Sequence, residues 1–339
     1  AGREGFAGRD GRAGRETRAA LEGVAGLALV PVFDELKLRA YNDNIFEYKF
    51  VQSLRQRVKP LVLSRPGYPV RKPWAMLNEN AARLALAECA AFSGGGGFLL
   101  RPNFTVYHDV LNSYRRFFET HPGLYAGLDS YATLGVLAWP EQEWYGNATH
   151  LPAVRQVTDV FTEARLLFDY VPESQTTLEM LSRYEAVVAA DTSHVSDEQM
   201  ATLTEYVKGG GKLITIGEFA SHKPTLQERS PESLGGLSAR IECQEVEELV
   251  KALGTSPPIA AADSLEQRHV KINAFAEDQR IVVHVVNYNV PLGVDPLPPT
   301  EMKDIEVEIP LRSGTRCSKA VGYAPDDPEP VQLAVRNLS

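Results

Sequence analysis

The chain has 339 residues, 44% of them hydrophobic and 23% charged, with a formal net charge of -9. Such a length supports two or three domains with sizeable cores. The acidic balance and the lack of a long basic stripe argue against nucleic acid as a partner, and no apolar run is long enough to cross a bilayer.

Residues 1–24 open with AGREGFAGRDGRAGRETRAA, which has little hydrophobic patterning and is expected to be a disordered tail. A strand is expected at Val30–Phe33, ending in Asp34-Glu35. Ile45–Gln56 follows as a helix, with Phe46, Phe50, Val51 and Leu54 on one face. Val58–Leu63 reads as a second strand and Asn80–Phe92 as an Ala- and Leu-rich helix stopped by Gly94–Gly97. Phe98–Leu100 is a third strand and Tyr107–Glu119 another helix. This alternation implies parallel strands with helices packed outside, either half of a doubly wound sheet or the end of a (β/α)8 barrel.

A second block begins near Tyr131. Thr133–Trp139 is a strand, Val154–Leu167 a helix and Phe168–Val171 a short strand. The segment LEMLSRYEAVVAADTSHVSDEQMATLTEYVKGGGKLITIGE (Leu178–Glu218) then carries its own punctuation. An apolar run ends at Asp191, a helix starts at Ser196 and stops at Lys208 and three glycines, and a second apolar run covers Leu213–Ile216. From about Glu266 the pattern turns to an antiparallel β region, with strands expected at His269–Ala274, Arg280–Tyr288, Ile305–Ile309 and Lys319–Tyr323.

Cys89, Cys243 and Cys317 are too dispersed for a metal motif or a disulfide framework; they fit a reducing, cytoplasmic setting without metal. Gly94–Gly97 and Gly209–Gly211 match no phosphate-binding pattern, so no cofactor is expected. Asn103-Phe-Thr and Asn147-Ala-Thr match the glycosylation acceptor pattern, which also arises by chance. His284 reads as a core or edge histidine, and Glu79 and Glu88 as solvated or structural.

Three stretches carry a resemblance: RLALAECAAFSGGGGFLL (Arg83–Leu100), TLGVLAW through YVKGGGKLITIGE (Thr133–Glu218) and RIVVHVVNYN (Arg280–Asn289). In this order they resemble the C-terminal part of family 42 β-galactosidases and related glycoside hydrolases. The resemblance implies three units: a partial (β/α)8 barrel at residues 25–131, a flavodoxin-like doubly wound domain of the trimer-forming type at 132–235, and a small antiparallel β-sandwich at 236–339. It also implies a carbohydrate substrate, hydrolysis of O-glycosidic bonds without a cofactor, and a homotrimer. A (β/α)8 barrel needs roughly 200 residues or more, so the chain is expected to be truncated relative to these enzymes, or inactive.

Retaining glycosidases place two carboxyl groups about 5 Å apart, and barrels present them at strand ends. Glu35 is the expected catalytic carboxylate, with Asp34 beside it. The same pair equally fits a helix cap or an ion pair with Arg39. Leu63 is followed by Ser64, where the resemblance would put a nucleophile glutamate. Arg65 and Arg101 suit forked hydrogen bonds to sugar oxygens, and Trp74 suits stacking on a sugar ring; each fits local packing as well. Asp191-Thr192-Ser193-His194 occupies the strand end where amidotransferase-type folds carry a cysteine, and no cysteine is near. Catalysis there is not expected. The competing reading of the whole chain is a non-catalytic carbohydrate-binding or oligomerisation protein.

Overall fold

The computed structural model describes residues 29–31, 43–54, 61–63, 79–93, 97–98, 108–254, 269–277, 279–290, 305–311 and 315–337. The chain is an α/β protein with both parallel and antiparallel sheets. At its start, β1 (Leu29–Pro31), β2 (Leu61–Leu63) and β3 (Gly97–Phe98) lie parallel in the order β1-β2-β3. Helices α1 (Ile45–Leu54) and α2 (Glu79–Ser93) fall between them in sequence, and α3 (His108–Thr120) follows. All six elements stand where the apolar periodicity put them, to within a few residues at each end.

Five parallel strands form the best-buried layer: β5 (Leu134–Leu137), β6 (Phe168–Val171), β7 (Ala186–His194), β8 (Lys212–His222) and β9 (Ile241–Cys243), in the order β6-β5-β7-β8-β9. Numbered from the first strand of this layer, the order is 2-1-3-4-5. Both faces are covered, so the strands read as continuous apolar runs without alternation. Val136, Val188 and Ile214 point to one side, against Val154, Val157 and Phe161 of α5 (His150–Glu163), Phe46 of α1, and Leu249 and Leu253 of α8 (Leu249–Leu253). Leu137, Val187, Ala189 and Leu213 point to the other side. There they meet Leu181 of α6 (Leu178–Leu181) and Met200, Leu203 and Tyr206 of α7 (Asp197–Lys208). Each fully buried side chain of this kind contributes about 1.5–3 kcal/mol of transfer free energy.

Helix α7 shows why this segment was readable. Ser196 accepts from the Gln199 amide, and the Gln199 side chain accepts from the Ser196 amide, a complete capping box. At the other end, Gly210 takes φ +98, and a Cβ on Gly211 would lie 2.2 Å from the Tyr206 ring. The glycine run is therefore required twice, once by conformation and once by space.

The antiparallel region departs from expectation. Strand β10 (Val270–Glu277) pairs with β11 (Arg280–Asn287) on one side and with β4 (Asp129–Ser130) on the other, while β12 (Ala320–Ala324) and β13 (Asp327–Leu333) form a separate hairpin. Residues 305–311 carry no strand, which corrects the one expected at Ile305–Ile309. Strand β9 pairs with β8, and α8 packs under the same sheet, so the parallel layer continues to Leu253. The antiparallel sheet in turn takes in β4, from before that layer.

Among the described residues no disulfide joins the three cysteines, and Cys89 and Cys243 are buried. No helix among them is long and apolar enough to cross a membrane.

Candidate functional site

Asp34, Glu35, Arg65, Trp74 and Arg101 all lie outside the described residues. What the structure adds is the frame that precedes them. Because β1, β2 and β3 are parallel neighbours, their carboxyl ends share one edge. In sequence, Asp34 and Glu35 follow the end of β1 by three and four residues, Arg65 follows β2 by two and Arg101 follows β3 by three. Asn103 of the first glycosylation pattern also falls outside the described residues.

The described polar cluster with the most convergent geometry stands at the carboxyl ends of β5, β7 and β8. In open parallel sheets this is where ligands enter, at the point where the strand order reverses. Here that point lies between β5 and β7. A short helix, α4 (Glu141–Trp144), follows β5, and two amide side chains, Gln142 on it and Asn147 just after it, enter the gap. Gln142 is fully buried. Its Nε2 donates to the His194 carbonyl at 2.6 Å and its Oε1 accepts from the His194 amide at 3.0 Å, which imitates a strand pairing. Asn147 Nδ2 donates to the Asp191 carbonyl at 2.6 Å and to Ser193 Oγ at 2.8 Å. With its nitrogen so engaged, Asn147 is a poor glycosylation acceptor despite its sequence pattern.

His150, fully buried at the start of α5, closes the floor. Its Nε2 accepts from the Trp139 amide at 2.9 Å, which assigns the proton to Nδ1, facing the Ala190 carbonyl at 2.8 Å. Burial holds its pKa below the ordinary value. Both ring nitrogens are occupied, so it has no lone pair to offer a substrate.

Asp191 adopts φ +43, an unusual conformation of the kind that gathers at functional strand ends. Its carboxylate does structural work instead. Oδ1 accepts from the Glu218 amide at 3.0 Å and sits 2.1 Å from where Gly217 would carry a Cβ, Gly217 itself having φ +66. Beyond it, β7 and β8 continue through two register shifts to pair His194 with His222. The sequence places Asp191–His194 at this strand end and marks Asn147 only as a glycosylation pattern, while Gln142 and His150 carry no local pattern and are revealed by their long-range partners. Among the described residues no group of three or more His, Cys, Asp or Glu side chains could hold a metal ion.

The floor of the crevice is therefore filled by the protein's own side chains. Gln142→Ala should lower stability by about 1–3 kcal/mol, because it strips partners from two buried backbone groups of His194. Urea unfolding of the two proteins side by side measures this, and equal midpoints would refute the filling role.

The remaining singled-out residues resolve as follows. His284 stacks on Tyr125 at 5.4 Å and meets Phe275 edge-on at 5.7 Å; its Nε2 is without a partner and burial pulls its pKa down to about 4. It is a half-buried strand histidine packed between aromatic rings. Glu79 is exposed and bonded to Arg83 at 2.6 Å, whereas Glu88 is fully buried, which corrects the solvated alternative for Glu88.

No family model matches the chain, and no curated protein matches it. Solved structures do. An apo exo-carrageenase GH42 from Bacteroides ovatus is 14% identical with a TM-score of 0.50, over 72% of this chain and 37% of that one. A β-galactosidase from Bacillus circulans sp. alkalophilus is 12% identical with a TM-score of 0.55, over 74% and 53%. A cold-adapted β-galactosidase from Rahnella sp. R3 is 12% identical with a TM-score of 0.51, over 79% and 44%. The chain is thus similar in fold to GH42 glycoside hydrolases, and it spans about a third to a half of the length of these structures.

Proposed function

We propose that the chain contributes the end of a (β/α)8 barrel and two accessory units to a glycoside-hydrolase-like protein acting on β-galactoside-type O-glycosidic bonds. The observation that carries this reading is the fold likeness to the Bacillus circulans β-galactosidase over 74% of the chain. The three parallel strands with interleaved helices suit a barrel end, and the 2-1-3-4-5 strand order suits a flavodoxin-like unit. In this reading Glu35, with Asp34 beside it, faces the sugar, Arg65 and Arg101 hold its hydroxyls, and Trp74 stacks on its ring.

The reaction needs two carboxyl groups on opposite sides of the scissile bond. The strand ends reached here offer only the Asp34-Glu35 pair, and β2 leads into Ser64. The 339-residue chain is therefore expected to bind galactose-configured sugars but to release nitrophenol from aryl β-galactosides only at background rate. Calorimetric titration with galactose should show binding that Glu35→Gln weakens by about tenfold or more, the loss expected for one hydrogen bond to a charged group. Identical isotherms for the two proteins would remove Glu35 from the site. Rapid turnover abolished by Glu35→Gln would overturn the expected inactivity.

The filled crevice of the five-stranded layer favours a second, compatible role for that unit as an assembly element. The trimer implied by the resemblance is checked by sedimentation equilibrium, where a monomer at all concentrations would count against it.

A further inference from the structure

We infer that His194 and His222 form a proton-sensitive latch that holds the carboxyl-end extensions of β7 and β8 together. The two strands run past the ordinary end of the sheet through two register shifts, with φ +43 at Asp191 and +50 at Ala220. Past Asp191 the extensions pair as Thr192 with Phe219 and His194 with His222, and Ser221 Oγ donates to the Ser193 carbonyl at 3.4 Å. At the last pair the two imidazoles stack, with centroids 5.2 Å apart and planes 26° apart.

Each ring is held by the serine before it. Ser193 Oγ lies 2.9 Å from His194 Nδ1, and Ser221 Oγ lies 2.8 Å from His222 Nδ1. The Ser221 hydroxyl also bonds Glu218 Oε1. A hydroxyl has one proton, and the carboxylate is its stronger acceptor, so His222 Nδ1–H donates to Ser221. This relay ends on Glu218, whose Oε1 also lies 3.9 Å from His222 Nδ1.

His194 has no such relief. It is buried, with Tyr145 on one side at 5.4 Å and His222 on the other, and its pKa is lowered by burial and then by the His222 charge, against a smaller opposing pull from Glu218. The other charged groups nearby are spent. Asp191 faces the Glu218 amide, and Lys223 and Arg229 are both bonded to Asp197 at 2.8 and 2.7 Å. A proton on His194 is therefore disfavoured while the two rings are stacked.

The linkage has a definite sign. A histidine kept neutral in the closed state and free to charge in the open state loses closure as pH falls below its ordinary value of about 6.5. From pH 7.5 to 5.0, uptake of one proton raises the opening equilibrium by up to about 30-fold. The segments released are those that carry the Val195 amide bond to the His222 carbonyl and the backbone of His194 that Gln142 grips.

Amide hydrogen exchange on the full chain at the two pH values, corrected for intrinsic rates, tests this. Residues 192–195 and 219–222 should lose protection by roughly ten- to thirtyfold at pH 5.0, while the β5 core stays protected. His194→Asn should flatten the dependence to under about threefold. Imidazole titration of the unsubstituted chain by NMR gives a reading that needs no variant, with His194 titrating below an ordinary histidine. Protection independent of pH, the same pH dependence in His194→Asn, or a His194 that titrates normally would each overturn the latch.

Discussion

Lys49→Ala is expected to lower the unfolding free energy by about 3–5 kcal/mol, the cost of breaking a buried charged network by removing one member. Lys49 lies on α1, yet its side chain is only 4% exposed. Its ammonium donates to the Phe168 carbonyl at 2.6 Å and to Asn273 Oδ1 at 3.1 Å, with Asp169 at 3.8 Å. Asn273 in turn donates to the Ala91 carbonyl at 2.9 Å. One cation thus ties α1 to the edge of the parallel layer and to the centre of the antiparallel sheet, and through Asn273 to α2.

Burial pulls the lysine pKa down while Asp169 holds it up, so the charge persists only while those partners surround it. Alanine leaves Asn273 and Asp169 facing an empty space. Lys49→Met keeps most of the stem volume and should cost less, about 1–3 kcal/mol, chiefly for the unsatisfied acceptors. Urea transitions followed by far-UV circular dichroism measure both. The alanine variant should also show a broader transition, as its units uncouple. If Lys49→Ala unfolds within 1 kcal/mol of the unsubstituted chain, with the same steepness, this node does not hold the units together.

Neither Lys49 nor its partners could be found from local pattern. On α1, Phe46, Phe50 and Val51 mark the apolar stripe, and a lysine beside them reads as the start of the polar face. The residue is buried because a second sheet approaches that side, and the sequence near Lys49 carries no sign of β10. The same reason explains the strands that were missed. Asp129–Ser130 is two residues long, Ile241–Cys243 is three, and the partner of each is distant in the chain. The extensions of β7 and β8, Asp191–His194 and Gly217–His222, are polar or glycine-bearing and read as loops. What was legible was local, namely the Ser196 cap, the glycine stop after Lys208, and apolar runs long enough to be buried on two faces. The candidate glycosidase residues belong to a third class, because their roles rest on resemblance and their strand frame alone is described.

Glu88 gives the second large effect, and its sign is opposite to that of most acids. In an Ala-rich helix the facing of a single glutamate is hard to read; the structure puts it fully inside. Oε1 accepts from the Asn44 amide at 2.9 Å and from Asn44 Nδ2 at 3.1 Å, and Oε2 pairs with the Tyr288 hydroxyl at 2.7 Å. Burial, and then the nearby Asp43 charge, push its pKa up to about 8 despite these bonds. The folded state therefore keeps the proton between about pH 4.5 and 8, where the unfolded chain has released it. Stability contributed by the neutral acid is complete below the unfolded value and is lost as pH rises towards 8, by up to about 1.4 kcal/mol per unit. Glutamine matches the protonated acid in shape, since its oxygen can serve Asn44 and its nitrogen can donate to the tyrosine oxygen. Glu88→Gln should therefore match the unsubstituted chain near pH 5 and exceed it by about 2 kcal/mol or more at pH 8.5, as measured by urea unfolding across that range. Parallel stability profiles would mean that Glu88 ionises freely, and the buried Asn44–Glu88–Tyr288 network would then not exist in solution.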